Sequence, residues 1–197
     1  MGYKFCLILL AVSMPLLGLA QSANSSGLPT SFSVAQKPFS AHLSLNKVEF
    51  DIYSPNRPSN NVVTITSQGI EGNRSPFSVP VVGQLTGAEV ADLNNDGYPE
   101  IYIYLNTANS NAYGCLLAYA SNMNKSITPI YIPSLIDDPK LSSGYKGHDE
   151  FSVVESKLMR RFPLGMKNSA QQYRQIQYRL DAGEAGWVLR PEQSVEF

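Results

Sequence analysis

Histidine, cysteine and tryptophan are scarce in this chain of 197 residues: two, two and one. Each shortage excludes something. His42 and His148 offer little acid–base chemistry near neutral pH, and neither lies in a G-x-S-x-G or H-E-x-x-H motif, so no catalytic residue is expected. Histidine and cysteine together are too few for the three or four ligands of a zinc site. Lysine and arginine number 15 against 16 acidic residues, with no basic stripe, which excludes nucleic acid as a partner. No internal repeat, low-complexity tract, interdomain linker or long helical period interrupts the pattern. Outside the first twenty residues there is no apolar run of membrane-spanning length.

The start of the chain reads as an address. Lys4 precedes an apolar run over residues 5–19, and Gly18-Leu19-Ala20 supplies small residues before Gln21. This is the pattern of a cleavable secretory signal, residues 1–20, and it places the product in the periplasm with no membrane attachment after cleavage. Cys6 stands at the start of that run, ahead of the hydrophobic core of the signal rather than at its cleavage end, and so is not a lipid-attachment cysteine. With the leader removed, Cys115 is the single cysteine left, read as a small hydrophobe beside Gly114, and the fold is expected to rest on its apolar core. The mature chain has 177 residues and, without Lys4, a net charge of −2. Residues 21–35, rich in Ser, Asn and Ala, read as a flexible leader, and residues 36–197 as one domain.

What that domain does contain is short alternation. In 46–53, Val48, Phe50 and Ile52 oppose Lys47, Glu49 and Asp51. Residues 61–66 are β-branched, and 77–82 carries Pro80, which predicts an edge strand or bulge. Residues 101–105, 115–119, 126–132, 175–180 and 187–189 also read as strands, and 133–147 as a long loop. Residues 151–162 fit a strand pair or a short helix, and we favour strands. Many short strands with frequent turns predict an all-β, antiparallel fold, a β-sandwich. Its exposed edges leave room for a homodimer.

Two stretches stand out. Asp92, Asn94, Asp96 and Glu100 occupy positions 1, 3, 5 and 9 of a calcium-type loop with Gly97 at position 6, but position 12 is Ile103 rather than Glu. The same spacing makes a self-bonded Asx turn ahead of a strand. The other stretch is 106–114, between strands 101–105 and 115–119, which has no charge and consists of Asn, Thr, Ala, Ser, Tyr and Gly. A tyrosine among small hydroxyl and amide residues is a recognition composition: a rigid ring with adaptable hydrogen bonds around it. Tyrosine outnumbers tryptophan eleven to one in the chain. His148-Asp149-Glu150 is a compact polar cluster, read as a loop histidine bonded to a neighbouring carboxylate.

The blocks ADLNNDGYPEIYIY, AYG, LLAYA, GYKGHDEFSVVES, RRFP, RQIQYRL and GEAGWVL follow in this order from residue 91 to 189. In that order they resemble the periplasmic lysozyme inhibitors directed against invertebrate-type (i-type) lysozymes. The resemblance implies a bacterial periplasmic β-sandwich, not itself an enzyme, that blocks a muramidase. In that family a protruding Ser-Gly-x-Tyr loop enters the substrate cleft. The matching lysozyme-binding positions are Ser110, Asn111, Ala112 and Tyr113, with Asn111 where the family has Gly. Asn is the residue next most tolerant of positive φ, so the loop shape is expected to survive. A second loop, Ser142-Ser143-Gly144-Tyr145-Lys146, offers Tyr145 and Lys146 as secondary contacts, or else forms a structural crossover. The alternative to an inhibitor is a calcium-dependent periplasmic or surface interaction module using the acidic loop 92–100.

Overall fold

The structure is a computed structural model and describes residues 37–72, 75–167 and 169–197. The signal and leader expected over 1–35 lie outside the described residues. Among the described residues, twelve strands form three four-stranded antiparallel sheets. The first sheet joins β1 (Phe39–Leu45), β2 (Val48–Ser54), β3 (Asn61–Gln68) and β4 (Phe77–Val81) in sequence order. The second joins β5 (Gln84–Ala91), β6 (Glu100–Asn106), β7 (Gly114–Asn122) and β8 (Ser126–Pro129). The third runs from β12 (Trp187–Glu196) through β11 (Ala170–Ala182) and β10 (Lys157–Lys167) to β9 (Glu150–Val154). Among the described residues, helix is confined to a 3-10 turn, Leu135–Asp137, and one turn, α1 (Pro139–Ser142). Among the described residues no helix is long and apolar enough to cross a membrane.

The all-β, antiparallel fold is as the residue pattern predicts, and its strands divide among three sheets where a simple sandwich has two. β6 explains the difference, because every residue from Glu100 to Leu105 is buried. On one face, Ile101, Ile103 and Leu105 share a core with Val48, Phe50, Ile52, Val63 and Ile65 of the first sheet. On the other, Tyr102 and Tyr104 share a core with Leu158, Phe162, Ile176, Tyr178 and Leu189 of the third. The middle sheet is thus packed on both faces, with an aliphatic side and an aromatic side. Each such side chain stabilises the fold by about 1.5–3 kcal/mol on burial, so one strand anchors two cores. Glu89 adds a polar tie between sheets, accepting from the Val153 amide at 2.6 Å and from the Tyr104 hydroxyl.

Local turn chemistry accounts for the connections. Asn46 and Lys47 between β1 and β2, and Glu155 and Ser156 between β9 and β10, all have positive φ. Two consecutive left-handed residues make the type I′ turn whose twist matches an antiparallel pair. The second of these turns settles 151–162 as a strand pair, with Val154 opposite Lys157. Pro80 sits in β4, at the edge of its sheet, where a missing N–H costs least.

Two strands lie outside those read from the sequence. β1 alternates between half-buried and exposed residues but never reaches full burial, and β5 is broken by a bulge between Leu85 and Gly87. A Cβ at Gly87 would come within 3.1 Å of the Tyr104 ring. The stretch 126–132 is a strand only to Pro129, followed by a single parallel bridge from Tyr131 to Val188. β12 extends well past 189, to Glu196.

Candidate functional site

The uncharged loop is the β6–β7 connection and is tighter than its composition indicated. Asn106 and Gly114 belong to the strands and face each other across the pair, leaving 107–113 as the loop. Its neck is closed by the Thr107 amide donating to the Tyr113 carbonyl at 2.9 Å and the Tyr113 amide donating to Thr107 Oγ1 at 2.8 Å. Within it Asn109 Oδ1 is a shared acceptor: Thr107 Oγ1 donates to it at 2.9 Å, the Ala112 amide at 3.1 Å and the Asn111 amide at 3.2 Å. One short amide side chain therefore organises the crest, as Asx turns do. Asn111 Nδ2 donates to the Tyr113 hydroxyl at 2.8 Å. Ser110 and Asn111 are exposed, and Tyr113 is 36% exposed.

The left-handed residue in this loop is Ala112, with φ of 42°, and not Asn111. The tolerance of Asn for positive φ is thus not what keeps the loop's shape. Asn111 contributes through its side chain, on Tyr113, and through its carbonyl.

That carbonyl leads to the second loop. The His148 amide donates to Asn111 O at 2.8 Å and to Ala112 O at 3.1 Å. Gly147, with φ of +92°, lies so close that a Cβ there would be 2.0 Å from Asn111 O. Only glycine satisfies both the conformation and the approach. The Tyr113 ring leans on Tyr145, centroids 5.7 Å apart and tilted by 55°, and Tyr145 packs edge-on against Phe162 at 4.8 Å. Arg174 holds the preceding segment down, with Nη1 donating to Leu141 O and Ser143 O at 2.6 and 2.8 Å.

Beneath both loops is Asp149, whose side chain is fully buried. Its Oδ2 accepts from the Gly114 amide at 2.6 Å and from the Tyr145 hydroxyl at 2.5 Å, and its Oδ1 from Arg160 Nε at 2.7 Å. Arg160 Nη2 in turn donates to the Tyr145 oxygen at 3.0 Å. The guanidinium lies 5.2 Å from the Tyr145 ring centroid and 5.4 Å from that of Phe151. Burial works against the Arg160 charge, but the Asp149 carboxylate together with Tyr178 and Tyr145 offsets it and holds the guanidinium above its ordinary value. Burial pushes the Tyr145 phenol up, so it keeps its proton and donates.

The sequence placed Tyr145 and Lys146 together as secondary contacts, and the structure separates their parts. Tyr145 is half-buried under Tyr113, whereas Lys146 is exposed. His148 is exposed too, while the Asp149 oxygens are taken by Gly114, Tyr145 and Arg160. The polar cluster at 148–150 is therefore a clamp on the hairpin loop rather than a histidine–carboxylate pair. One signal for it stood in the sequence: Arg160 occupies a core-facing position between Leu158 and Phe162, where a charge requires a buried partner.

The acidic loop lies at the opposite end of β6, about 20 Å away at the usual rise per strand residue. Carboxylate oxygens of Asp92, Asp96 and Glu100 come within 4.8 Å of one another. Asp92 accepts from the Asp96 and Gly97 amides at 3.0 and 2.9 Å, and Asp96 from the Tyr98 amide at 2.8 Å and from Asn94 Nδ2 at 2.9 Å. The Asx turn thus forms through its own side chains. Glu100 is buried and accepts from the Leu93 amide at 2.8 Å. Burial pushes its carboxyl up to about 8, reinforced by Asp92 and Asp96 and opposed by the Leu93 amide. Three converging carboxyl groups, Asp92, Asp96 and Glu100, are oxygen donors of the kind a hard cation such as calcium takes.

His42 sits on β1 opposite Asp51 and bonds it at 2.8 Å on the surface. A cleft of about 210 Å3, lined by Pro133, Leu135, Leu141, Tyr178 and Pro191 among others, is smaller than the usual 300–1,000 Å3 of a small-molecule site.

Comparison with protein-family models, curated proteins and solved structures finds no match for this chain.

Proposed function

We propose that this chain is a proteinaceous inhibitor of i-type lysozyme, exported to the periplasm, that protects peptidoglycan by inserting the 107–113 loop into the muramidase cleft. The reading rests on the ordered resemblance of the chain, from about Ala88 to Leu189, to that inhibitor family. The observation that carries it structurally is the exposure of Ser110 and Tyr113 on a loop braced from within and from below.

A lysozyme cleft presents two carboxyl groups, one protonated and one ionised. The Ser110 hydroxyl is suited to donate to one of them. Tyr113 accepts from Asn111 Nδ2, which leaves its own phenolic proton to donate while the ring lies along the sugar-binding groove. A hydroxyl donating to a desolvated carboxylate contributes about 1.5–3 kcal/mol. Because the loop is already ordered by hydrogen bonds, little conformational entropy is lost on insertion.

The experiment is a muramidase assay with i-type, chicken-type and goose-type lysozymes, each titrated with the mature protein. Stoichiometric loss of i-type activity supports the proposal; digestion at full rate with the protein in excess ends it.

A second reading, a calcium-dependent interaction module, has one observation behind it, the convergence of Asp92, Asp96 and Glu100. A chelator titration followed by thermal unfolding separates the two, since only the module depends on the ion for its stability.

A further inference from the structure

We infer that the buried Asp149–Arg160 pair, together with Tyr145, is a positioning device that sets the register of the 107–113 loop; the inference deepens the inhibitor reading and, for its binding consequence, rests on it. Three segments far apart in the chain converge on one carboxylate. The hairpin contributes the Gly114 amide, the second loop contributes Asp149 and Tyr145, and β10 contributes Arg160.

Stability alone is a poor explanation for such a cluster. Burying an ion pair costs desolvation that its attraction often only balances, and an apolar set of similar volume holds a core equally well. Apolar contact is non-directional, however, and cannot fix where an amide points. A carboxylate can. Asp149 Oδ1 is aimed by Arg160, which turns Oδ2 onto Gly114, the residue immediately after Tyr113. The same Oδ2 orients the Tyr145 hydroxyl, so the ring that supports Tyr113 is set by the same group. Close packing leaves no alternative seat, because a Cβ at Gly114 would lie 2.3 Å from Asp149 Cβ. Asp149, Arg160 and Tyr145 are positioning residues that act through Tyr113 and need not touch the partner.

The test uses the full mature chain and three variants. Tyr145→Phe keeps the ring under Tyr113 and removes the hydroxyl; Asp149→Asn keeps the shape and removes the charge. Ile65→Val, in the core between the first and second sheets, serves as a control that destabilises the fold away from the clamp. Amide hydrogen exchange of Gly114 and His148 is read by NMR on the free protein, and inhibition of an i-type lysozyme is read in parallel.

Tyr145→Phe is expected to speed exchange at Gly114 and weaken inhibition, each about tenfold, the effect of losing one charge-assisted hydrogen bond. Asp149→Asn is expected to do more, and Ile65→Val to change neither beyond its global effect on stability. Wild-type exchange at Gly114 in Tyr145→Phe overturns the inference, as does an equal response from Ile65→Val. Should Asp149→Asn fail to fold, Tyr145→Phe decides. Should the wild-type protein inhibit no lysozyme, the inhibitor reading falls while the exchange data still decide the positioning role.

Discussion

The Asp149 carboxylate accepts a hydrogen bond from the Gly114 amide, with nitrogen and oxygen 2.6 Å apart, across thirty-five positions of sequence. Gly114 opens β7 directly after the exposed loop and Asp149 immediately precedes β9, so one buried oxygen joins the loop end of the middle sheet to the third sheet. The loop is consequently exposed at Ser110 and Tyr113 yet held from inside the protein. That combination is what a rigid plug requires.

Tyr113→Ala should weaken inhibition of an i-type lysozyme by about 2 kcal/mol or more, roughly thirtyfold, as for an aromatic hot spot. Because Tyr113 is 36% exposed, thermal stability should change little. An inhibition constant equal to wild type, measured by muramidase titration, would remove this loop from the mechanism.

Gly147→Ala should damage the loop from behind. The new methyl carbon would lie 2.0 Å from Asn111 O, at a residue whose φ is +92°. The backbone conformation alone costs about 1–3 kcal/mol for a non-glycine residue. Chemical denaturation should show a loss of at least that size, and inhibition should fall with it. Wild-type stability would show that the two loops do not seat on each other as described.

Arg160→Ala should be among the most destabilising single changes in the third sheet. It leaves Asp149 buried without its cation, a circumstance that typically costs about 3–5 kcal/mol, and it removes the cation stacked near Tyr145 and Phe151. Urea unfolding measures the loss. A change below about 1 kcal/mol would mean that the pair is hydrated rather than buried.

In calcium-free buffer, stability should decline as pH rises from about 5 to about 8. The Glu100 carboxyl is raised by burial from 4.5 to about 8, so the folded state holds a proton that the unfolded state releases. Its contribution is complete below the unfolded value and lost as pH passes the folded one, with a slope of at most about 1.4 kcal/mol per pH unit. Glu100→Gln should flatten that slope in pH-dependent thermal unfolding, and an unchanged slope would assign it to other groups. Calcium added at pH 7.5 should raise the melting temperature only if the acidic loop takes the ion, since binding would favour the ionised form.

Much of this architecture was legible in the sequence, for a local reason. Strand pairing shows in alternation two residues apart, as in Val48-Phe50-Ile52 and Ile176-Tyr178-Leu180, whereas the turns at Asn46-Lys47, read as strand, and at Glu155-Ser156 became visible only in the structure. β1 and β5 were not legible, because partial burial blurs the alternation of one and a bulge at Gly87 breaks that of the other. The apolar run 101–105 indicated a buried strand without saying that two different sheets would cover it.

The sequence alone determined that the stretch 106–114 would be uncharged, tyrosine-bearing and joined to strands at both ends. Only the tertiary structure decided how that loop is held: the positive φ on Ala112, the glycine at 147 pressed on the Asn111 carbonyl, and Asp149 turned by Arg160 onto Gly114. The reason is physical. Backbone periodicity is written between near neighbours, whereas the direction of a buried carboxylate depends on groups that meet only once three segments have packed together.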